Sequence, residues 1–266
     1  MKMQPGNIIT LTTDFGDKDG YVGAVKGVLL KINPNLKIMD ITHDISPFNV
    51  LEGALVLNSF YRFFPRGTIH LVVVDPGVGG RRKGILIQTD NCFLVGPDNG
   101  VFSFVYEKEK IRQIVELTSS RYFLQKPSST FHARDIFAPV SAYLSLGVEP
   151  KEFGPSSREC YKFELPQPQY RENRLRGKII YIDRFGNLIS NISSEQLPDE
   201  EERIQIKIGQ RRIKGLSRFY AEKKEGELTA LIGSTNFLEV AVNQGNAQRL
   251  LKAKIGDKIT LEKIKK

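Results

Sequence analysis

Cysteine is scarce in this sequence. The chain of 266 residues has only two, Cys92 and Cys160, and their spacing matches neither a zinc-binding pair nor a disulfide framework. The simplest interpretation is a protein of the reducing cytoplasm. No apolar run approaches the ~20 residues that a membrane-spanning helix needs, and the first residues lack the apolar stretch of a signal peptide. We therefore expect a cytoplasmic protein with no membrane partner.

The common nucleotide and metal motifs are also missing. Residues 77–84 are glycine-rich and basic, but no Gly-Lys-Ser/Thr follows at P-loop spacing and no Gly-x-Gly-x-x-Gly opens a helix. His43 lies between Asp40 and Asp44, yet no second pair of ligands has zinc-like spacing. A structural role for His43 is the better interpretation, and we expect neither a metal nor a cofactor.

Acidic charge is in deficit, with 30 Asp and Glu against 39 Lys and Arg and a net charge of +9. Residues 171–266 hold 20 basic and 13 acidic residues, and residues 1–170 hold 19 and 17. A basic domain can bind nucleic acid. However, basic pieces such as 211–214 and 263–266 lack the interleaved aromatics of single-strand binders. Solvated charge is the favoured interpretation, and we do not expect a nucleic-acid partner.

Strand and helix patterns alternate in the first part of the chain. Helical spacing of apolar residues covers 21–32, 50–63 and 131–146. Strand-like runs cover 7–13, 36–41, 68–74, 84–89, 92–95 and 111–117. Such alternation is typical of βαβ units, so residues 1–165 are predicted to form an α/β domain with a mostly parallel sheet and flanking helices.

The pattern changes after residues 166–176, which are polar and begin with proline, and which we interpret as a linker. Only short strand-like runs follow, without a long helical period: 178–182, 188–192, 204–208, 227–232, 237–242 and 258–261. Residues 177–266 are therefore predicted to form a smaller, all-β, barrel-like domain.

The most informative tract runs from Val72 to Arg82. A run of valines ends in Asp75, and a turn with a proline and three glycines leads to Arg81 and Arg82. This places a carboxylate at the C-terminal end of a central strand, the edge where open α/β sheets bind ligands. A returning arginine would keep the carboxylate ionised. An ordinary Asp-Pro-Gly turn with solvated arginines explains the tract alone equally well.

Other segments add polar side chains at turns. Asp14 and Asp19 follow the first predicted strand, where acids often bind ribose hydroxyls or a ligand's ammonium group, although a helix-capping turn is the alternative. His132 would lie in the first turn of a helix, whose positive dipole end favours the neutral imidazole that a base or water-orienting group requires. Residues 182–187 and 232–236 in the β domain are explained, alone, as hairpin turns.

Together these segments resemble one family. Thr13-Asp14-Phe15-Gly16, Val74 to Gly79, Pro97 to Gly100, Phe131 to Asp135, Asp183 to Asn187 and Ala241-Val242-Asn243 occur in the order seen in the S-adenosylmethionine (SAM) hydroxide adenosyltransferases. Those enzymes are related to the fluorinase and chlorinase that attack SAM with halide. The resemblance covers nearly the whole chain.

The resemblance implies a homotrimer that binds SAM between the N-terminal domain of one subunit and the C-terminal domain of the next. Water attacks the ribose C5′, without a metal, and adenosine and methionine leave; adenosine is thus also a product ligand. The implied catalytic residues are Asp75, Arg82 and His132, with Arg82 chosen over Arg81 on spacing.

The implied substrate-binding residues are distributed over both domains. The resemblance assigns Asp14 to the ribose diol, Phe48 to the pocket wall, and Asp19, Asp183 and Ser234 to the methionine end. It assigns Asn187 to adenine and Tyr220 to stacking on adenine, and it adds Phe185 to the substrate-binding set.

Two alternatives stay open at this point. The first is a halide-using adenosyltransferase, although the halogenases differ at the positions of Asp75 and His132 and carry an insertion after the strand at 84–89. The second is a sensor of SAM or adenosine with vestigial turnover and a basic domain that docks nucleic acid. Thr235 and Val242 replace polar neighbours that the halogenases use, so the site for the methionine carboxylate is not assigned.

Overall fold

The structure is a computed structural model that describes residues 3–164, 167–172, 174–198 and 204–263. The chain divides into two compact units, one ending at Phe163 and the other beginning at Glu164. We call them the N-terminal unit and the C-terminal unit. Among the described residues, no helix combines the length and the apolar character needed to cross a membrane.

Helices alternate with strands in the N-terminal unit. Its α-helices are α1 (Tyr21–Ile32), α2 (Val50–Phe60), α3 (Ser103–Lys108) and α4 (Ala138–Ser145). Its strands are β1 (Ile8–Thr13), β2 (Lys37–Thr42), β3 (Ile69–Val73), β4 (Gly84–Thr89), β5 (Phe93–Pro97), β6 (Ile111–Glu116) and β7 (Ser156–Ser157). The predicted α/β class is confirmed.

The seven strands form one mixed sheet in the order β2-β1-β3-β5-β4-β6-β7. The run β2-β1-β3-β5 is parallel, whereas β4, β6 and β7 pair in the antiparallel sense. All five residues of β3 are buried, as expected for a central strand covered on both faces. The carboxyl ends of four parallel strands therefore meet at one edge, which is the edge expected to carry the ligand site.

The predicted helix over 131–146 is split into two parts. A π-helical turn at Ala133–Phe137 precedes α4. Pro139 has no N–H and so leaves the carbonyl of Asp135 without its helical donor. Leu124 N–H donates to that carbonyl instead, at 2.9 Å, so the wide turn also ties the loop before the helix to its first turn.

The C-terminal unit is all-β apart from short helical turns and the helix α5 (Ala247–Leu251). Its described strands are β8 (Gln169–Arg171), β9 (Arg174–Ile182), β10 (Leu188–Ser193), β11 (Ile204–Ile208), β12 (Arg211–Lys214), β13 (Leu228–Ile232), β14 (Phe237–Val242) and β15 (Lys258–Lys263). They follow the order β12-β11-β15-β9-β10-β14-β13, with β8 paired to β9. The terminal strands β12 and β13 contact each other, so the sheet curls into the nearly closed barrel that the sequence predicted.

Part of the segment interpreted as a linker is an edge hairpin. β8 pairs antiparallel with the first residues of β9, joining Gln169 to Arg176 and Arg171 to Arg174. All three residues of β8 are exposed, so this strand has no buried face and resembles a coil in sequence. Pro166, where the predicted linker begins, lies outside the described residues, as do 264–266 of the basic C-terminal piece.

A buried histidine gives the N-terminal unit a pH-dependent stability. His70 on β3 is fully buried, its Nδ1 lies 2.8 Å from Thr10 Oγ1, and its Nε2 has no hydrogen-bond partner among the described residues. Phe60 and Phe64 pack around the ring. Burial lowers the pKa of His70 from 6.5 to about 3, because a charged imidazolium would be stranded in an apolar core.

We therefore expect acid to destabilise the wild type through His70. The pKa of His70 is lower in the folded state than in the unfolded state, so the folded protein is fully stable with respect to this residue above pH 6.5. As the pH falls from 6.5 toward about 3, the free energy of unfolding decreases by up to about 1.4 kcal/mol per pH unit. His70→Gln keeps an acceptor for Thr10 but does not titrate. Urea unfolding between pH 6.5 and 4.5 should show a smaller slope for the variant; equal slopes would contradict the assignment.

Candidate functional site

Polar turns follow neighbouring strands at the carboxyl edge of the parallel sheet. In the register of β1 with β3, Thr13 lies opposite Val73, so the turns that carry Asp14 and Asp75 begin side by side. Asn99, which follows β5, donates from Nδ2 to the carbonyl of Val74 at 2.8 Å. The fold thus brings three motifs that are far apart in sequence to one edge.

Asp75 and Arg82 form a two-pronged ion pair. Arg82 Nε donates to Asp75 Oδ1 at 2.8 Å, and Nη2 donates to Oδ2. The side chains are only 5% and 11% exposed, so the pair is shielded from solvent, where such geometry is strongest. Arg82 also stacks over Phe137, with Cζ 5.3 Å from the ring centre, whereas Arg81 is exposed.

His132 completes this cluster. Arg82 Nη2 lies 2.8 Å from His132 Nδ1. A guanidinium has only donors, so Nδ1 must be the acceptor, and the proton of the neutral ring is on Nε2. Burial and the positive charge of Arg82 lower the pKa of His132. The arrangement selects a neutral imidazole that presents an N–H donor on its free side.

Glycine at position 79 makes this contact possible. Gly79 has a φ of +74°, and a Cβ there would come within 2.1 Å of the carbonyl oxygen of Ser129. The loop after β3 therefore packs directly on the loop that leads to His132. A larger residue would push the two loops apart, and with them Arg82 and His132.

The lowered pKa of His132 predicts how the turnover rate depends on pH in the acid range. Its pKa is lowered, so the neutral form persists below the ordinary value of about 6.5. If turnover requires neutral His132, we expect kcat to hold its plateau through pH 6.5 and to fall only at lower pH. A single-turnover pH profile measures this, and a midpoint at or above 6.5 would contradict it.

Asp14 and Phe48 meet at the same edge. Asp14 Oδ2 accepts a hydrogen bond from the backbone N–H of Phe48 at 2.9 Å. Phe48 has a φ of +67°, which is strained for a bulky residue, and its ring is 71% exposed. Asp19 is exposed on the turn before α1. Strained residues such as Phe48 occur most often at active sites and ligand sites.

The contacts of His43 indicate a structural role. Its Nδ1 lies 2.9 Å from Thr13 Oγ1, its Nε2 lies 3.1 Å from Asp40 Oδ1, and the ring is buried. It joins the ends of β1 and β2. In the part of the chain that the structure describes, no group of three or more His, Cys, Asp or Glu could hold a metal ion.

The C-terminal unit presents a tight turn built on Asp183. Asp183 Oδ1 accepts from the backbone N–H groups of Phe185 and Asn187, each at 2.9 Å, and Oδ2 accepts from Asn187 Nδ2 at 2.9 Å. Gly186 has a φ of +83°, and the Asn246 side chain packs where a Cβ would lie. Asn187 is buried, while the ring of Phe185 is 73% exposed.

Glu239, which no sequence pattern singled out, joins Tyr220 to the turn that carries Ser234. Glu239 on β14 accepts a hydrogen bond from Tyr220 Oη at 2.8 Å, and its other carboxylate oxygen packs against Gly233, next to Ser234. Burial, together with the charge of Asp183, raises the pKa of Glu239. The available signal was an acid inside an otherwise apolar strand.

Family models match both units. Residues 9–154 match the SAM hydroxide adenosyltransferase N-terminal domain, and residues 177–260 match the C-terminal domain of the same family. The chain belongs to the SAM hydroxide adenosyltransferases.

Individual relatives agree with this family. The chain is 38% identical to the (R)-S-adenosyl-L-methionine hydrolase of Methanocaldococcus jannaschii over 96% of this chain and 95% of that protein. It is 35% identical to the protein of that name from Salinispora tropica, over 97% and 98%. A fluorinase from an Actinoplanes species is 28% identical, over 71% and 73%.

A solved structure shows the same fold. An uncharacterized conserved protein from Thermotoga maritima superposes with a TM-score of 0.89 at 36% identity, over 96% of this chain and all of that one. Within this adenosyltransferase, the N-terminal unit groups Asp75 with Arg82 and His132, and Asp14 with Phe48. The C-terminal unit groups Asp183, Phe185 and Asn187, with Tyr220 and Ser234 adjoining through Glu239.

Proposed function

We propose that this protein hydrolyses SAM to adenosine and L-methionine by attack of water at the ribose C5′. The observation that carries the proposal is the partly buried contact of Asp75, Arg82 and His132 at the ligand edge of the sheet. Full-length similarity to proteins named hydrolases supports it, whereas the fluorinase relative matches less of the chain.

The chemistry needs a well-placed water more than an acid. The sulfonium of SAM is a good leaving group, so the difficulty is holding a desolvated oxygen nucleophile in line with C5′. His132 has Nδ1 occupied by Arg82, and so its Nε2–H donates to the water oxygen. Asp75 keeps free lone pairs beyond those that Arg82 uses and accepts the water's hydrogen bond. It takes the water's proton as the C5′–O bond forms and the C5′–S bond breaks, which releases methionine.

Substrate binding then falls to the remaining residues. In this proposal Asp14 holds the ribose diol, Phe48 forms a wall of the pocket, and Asp19 contributes to the methionine end. Since the Asp14–Phe48 bond already orients that carboxylate, its second oxygen is available to the diol.

The C-terminal unit would bind the rest of SAM. Asp183 and Ser234 take the methionine end, Asn187 reads adenine, and Tyr220 stacks on it beside Phe185. Because these residues belong to a different unit from the catalytic cluster, we propose a homotrimer with each site shared by two subunits. A cytoplasmic location stays a prediction from the scarcity of cysteine.

The product of the reaction tests the proposal. We expect adenosine and methionine from SAM even in high chloride, with heavy oxygen from labelled water on adenosine C5′. Given the relatives' names, the (R)-sulfonium epimer should be consumed first from an epimerised sample. Liquid chromatography with mass spectrometry measures all three results. Chlorodeoxyadenosine as the main product would instead support the halide-using alternative.

A further inference from the structure

The strand register collects the basic residues of the C-terminal unit on one face of the barrel. On β9, Arg174, Arg176 and Lys178 alternate with buried residues. The row through Arg176 continues to Thr260 on β15, Lys207 on β11 and Arg212 on β12. Lys258 lies opposite Lys178 in the neighbouring row. Residues that are far apart in sequence thus become neighbours on adjacent strands.

This basic face is a hollow rather than a bulge. Arg174, Arg176, Lys178, Lys207, Arg212 and Lys258 line a depression of about 560 Å³, and we call these six residues the basic face. All six are exposed. Cations on alternate positions of a strand stand about 6.8 Å apart, and neighbouring strands are about 4.8 Å apart, so the face offers a grid of positive charge.

Few acids neutralise the grid. Arg174 pairs with Glu262 at 2.8 Å, and Arg176 with the exposed Glu172 at 3.0 Å. Within the described residues, no ion pair joins Lys178, Lys207, Arg212 or Lys258 to an acid. Like charges at this spacing repel each other, so a fold that gathers them without partners carries an electrostatic cost that a bound polyanion would relieve.

The strands on the other side of the barrel carry almost no charge. Strands β10, β13 and β14 contain no Lys or Arg, and their only charged residue is Glu239. The turn of Asp183 and the Gly233 turn, which carry the proposed substrate residues, adjoin these nearly uncharged strands. The basic face is therefore built from different strands from the substrate side, apart from β9, which contributes to both.

Taken separately, the basic pieces of the sequence do not predict a nucleic-acid partner; the strand register changes that expectation, because it joins cations from β9, β11, β12 and β15 into one face. We propose that the basic face binds the phosphate backbone of a single-stranded nucleic acid. A chain of phosphates matches a grid of separate cations better than one small anion does, because each cation can take its own phosphate. A flat anionic membrane would contact a concave surface poorly. The residues that line this depression also include no large apolar side chain that could insert into a bilayer. The absence of aromatics on the face means contact with phosphates rather than stacked bases, and hence binding with little sequence preference.

Fluorescence anisotropy with labelled 20-nucleotide RNA and DNA single strands tests the proposal on the full-length protein. If four phosphates are contacted, raising the salt from 50 to 200 mM should weaken binding about 50-fold. The variant K178Q/K207Q/R212Q/K258Q should lose at least tenfold in affinity. A matched control, K31Q/K37Q/K126Q/K151Q, removes the same charge from exposed lysines of the N-terminal unit and should bind like the wild type.

The outcomes separate this proposal from the proposed hydrolase activity. Both variants should turn over SAM at the wild-type rate and keep the wild-type melting temperature, which shows that they are folded. RNA or DNA preference would identify the natural strand. Absence of binding by the wild type at 50 mM salt, equal losses in both variants, or binding to phosphatidylserine vesicles in place of nucleic acid would each overturn it.

Discussion

Asp75→Ala is expected to reduce the single-turnover rate by about 10²–10⁴-fold, the usual cost of removing a general base. Affinity for SAM should change little, because the proposed contacts to substrate are made by other residues. Arg82 would lose both of its bonds to the carboxylate, so Asp75→Asn, which keeps the shape of the site, is the companion variant. Rapid-quench kinetics and calorimetric binding of SAM measure the two quantities separately.

Asp14→Ala is the matched comparison and should show the reverse pattern. It removes an acceptor for the Phe48 N–H and the proposed ribose contact, so SAM binding should weaken more than the chemical step slows. His132→Ala should cost less than Asp75→Ala if His132 only orients water. Near-normal turnover by Asp75→Ala would show that the catalytic centre is elsewhere, and the tract after β3 would then be a simple turn.

Mixing two inactive variants should restore activity if each site is shared by two subunits. Asp75→Ala damages the half in the N-terminal unit, and Asp183→Ala damages the half in the C-terminal unit. In randomly mixed trimers, about a quarter of the sites combine two intact halves. Subunits refolded together should therefore recover about a quarter of the wild-type activity, against almost none for either variant alone.

Two controls make this experiment decisive. Each variant refolded alone must give the same oligomer as the wild type by light scattering. Asp14→Ala mixed with Asp75→Ala damages the same unit twice, so no intact site can form, and activity at limiting SAM, where a binding defect lowers the rate, should stay low. Complementation by both mixtures, or by neither, would contradict a site shared between subunits, and a monomeric wild type with full activity would do so directly.

The sequence and the structure agree best where local patterns are strong. The spacing of apolar residues predicts α1 with the bounds that the structure has, and the runs of β-branched residues predict β3 and β4. The prediction was incomplete where a short or polar element is stabilised by its neighbours. β8 and β12 have few buried residues and depend on pairing with β9 and β11, and α3 is only six residues long.

Sequence alone determined the class of the fold, the change from α/β to all-β, and the motifs that mark the family. It did so because periodicity, turn residues and motif order are local properties. Tertiary structure decided which residues meet. Crossover connections place the turn of Asp14 beside that of Asp75, and Gly79 lets Arg82 reach His132 and select its tautomer. The strand register of the barrel brings cations that are far apart in sequence onto one face. The fold of the barrel also packs Glu239 between Tyr220 and Gly233. These contacts depend on pairing across long stretches of chain, which no local pattern records.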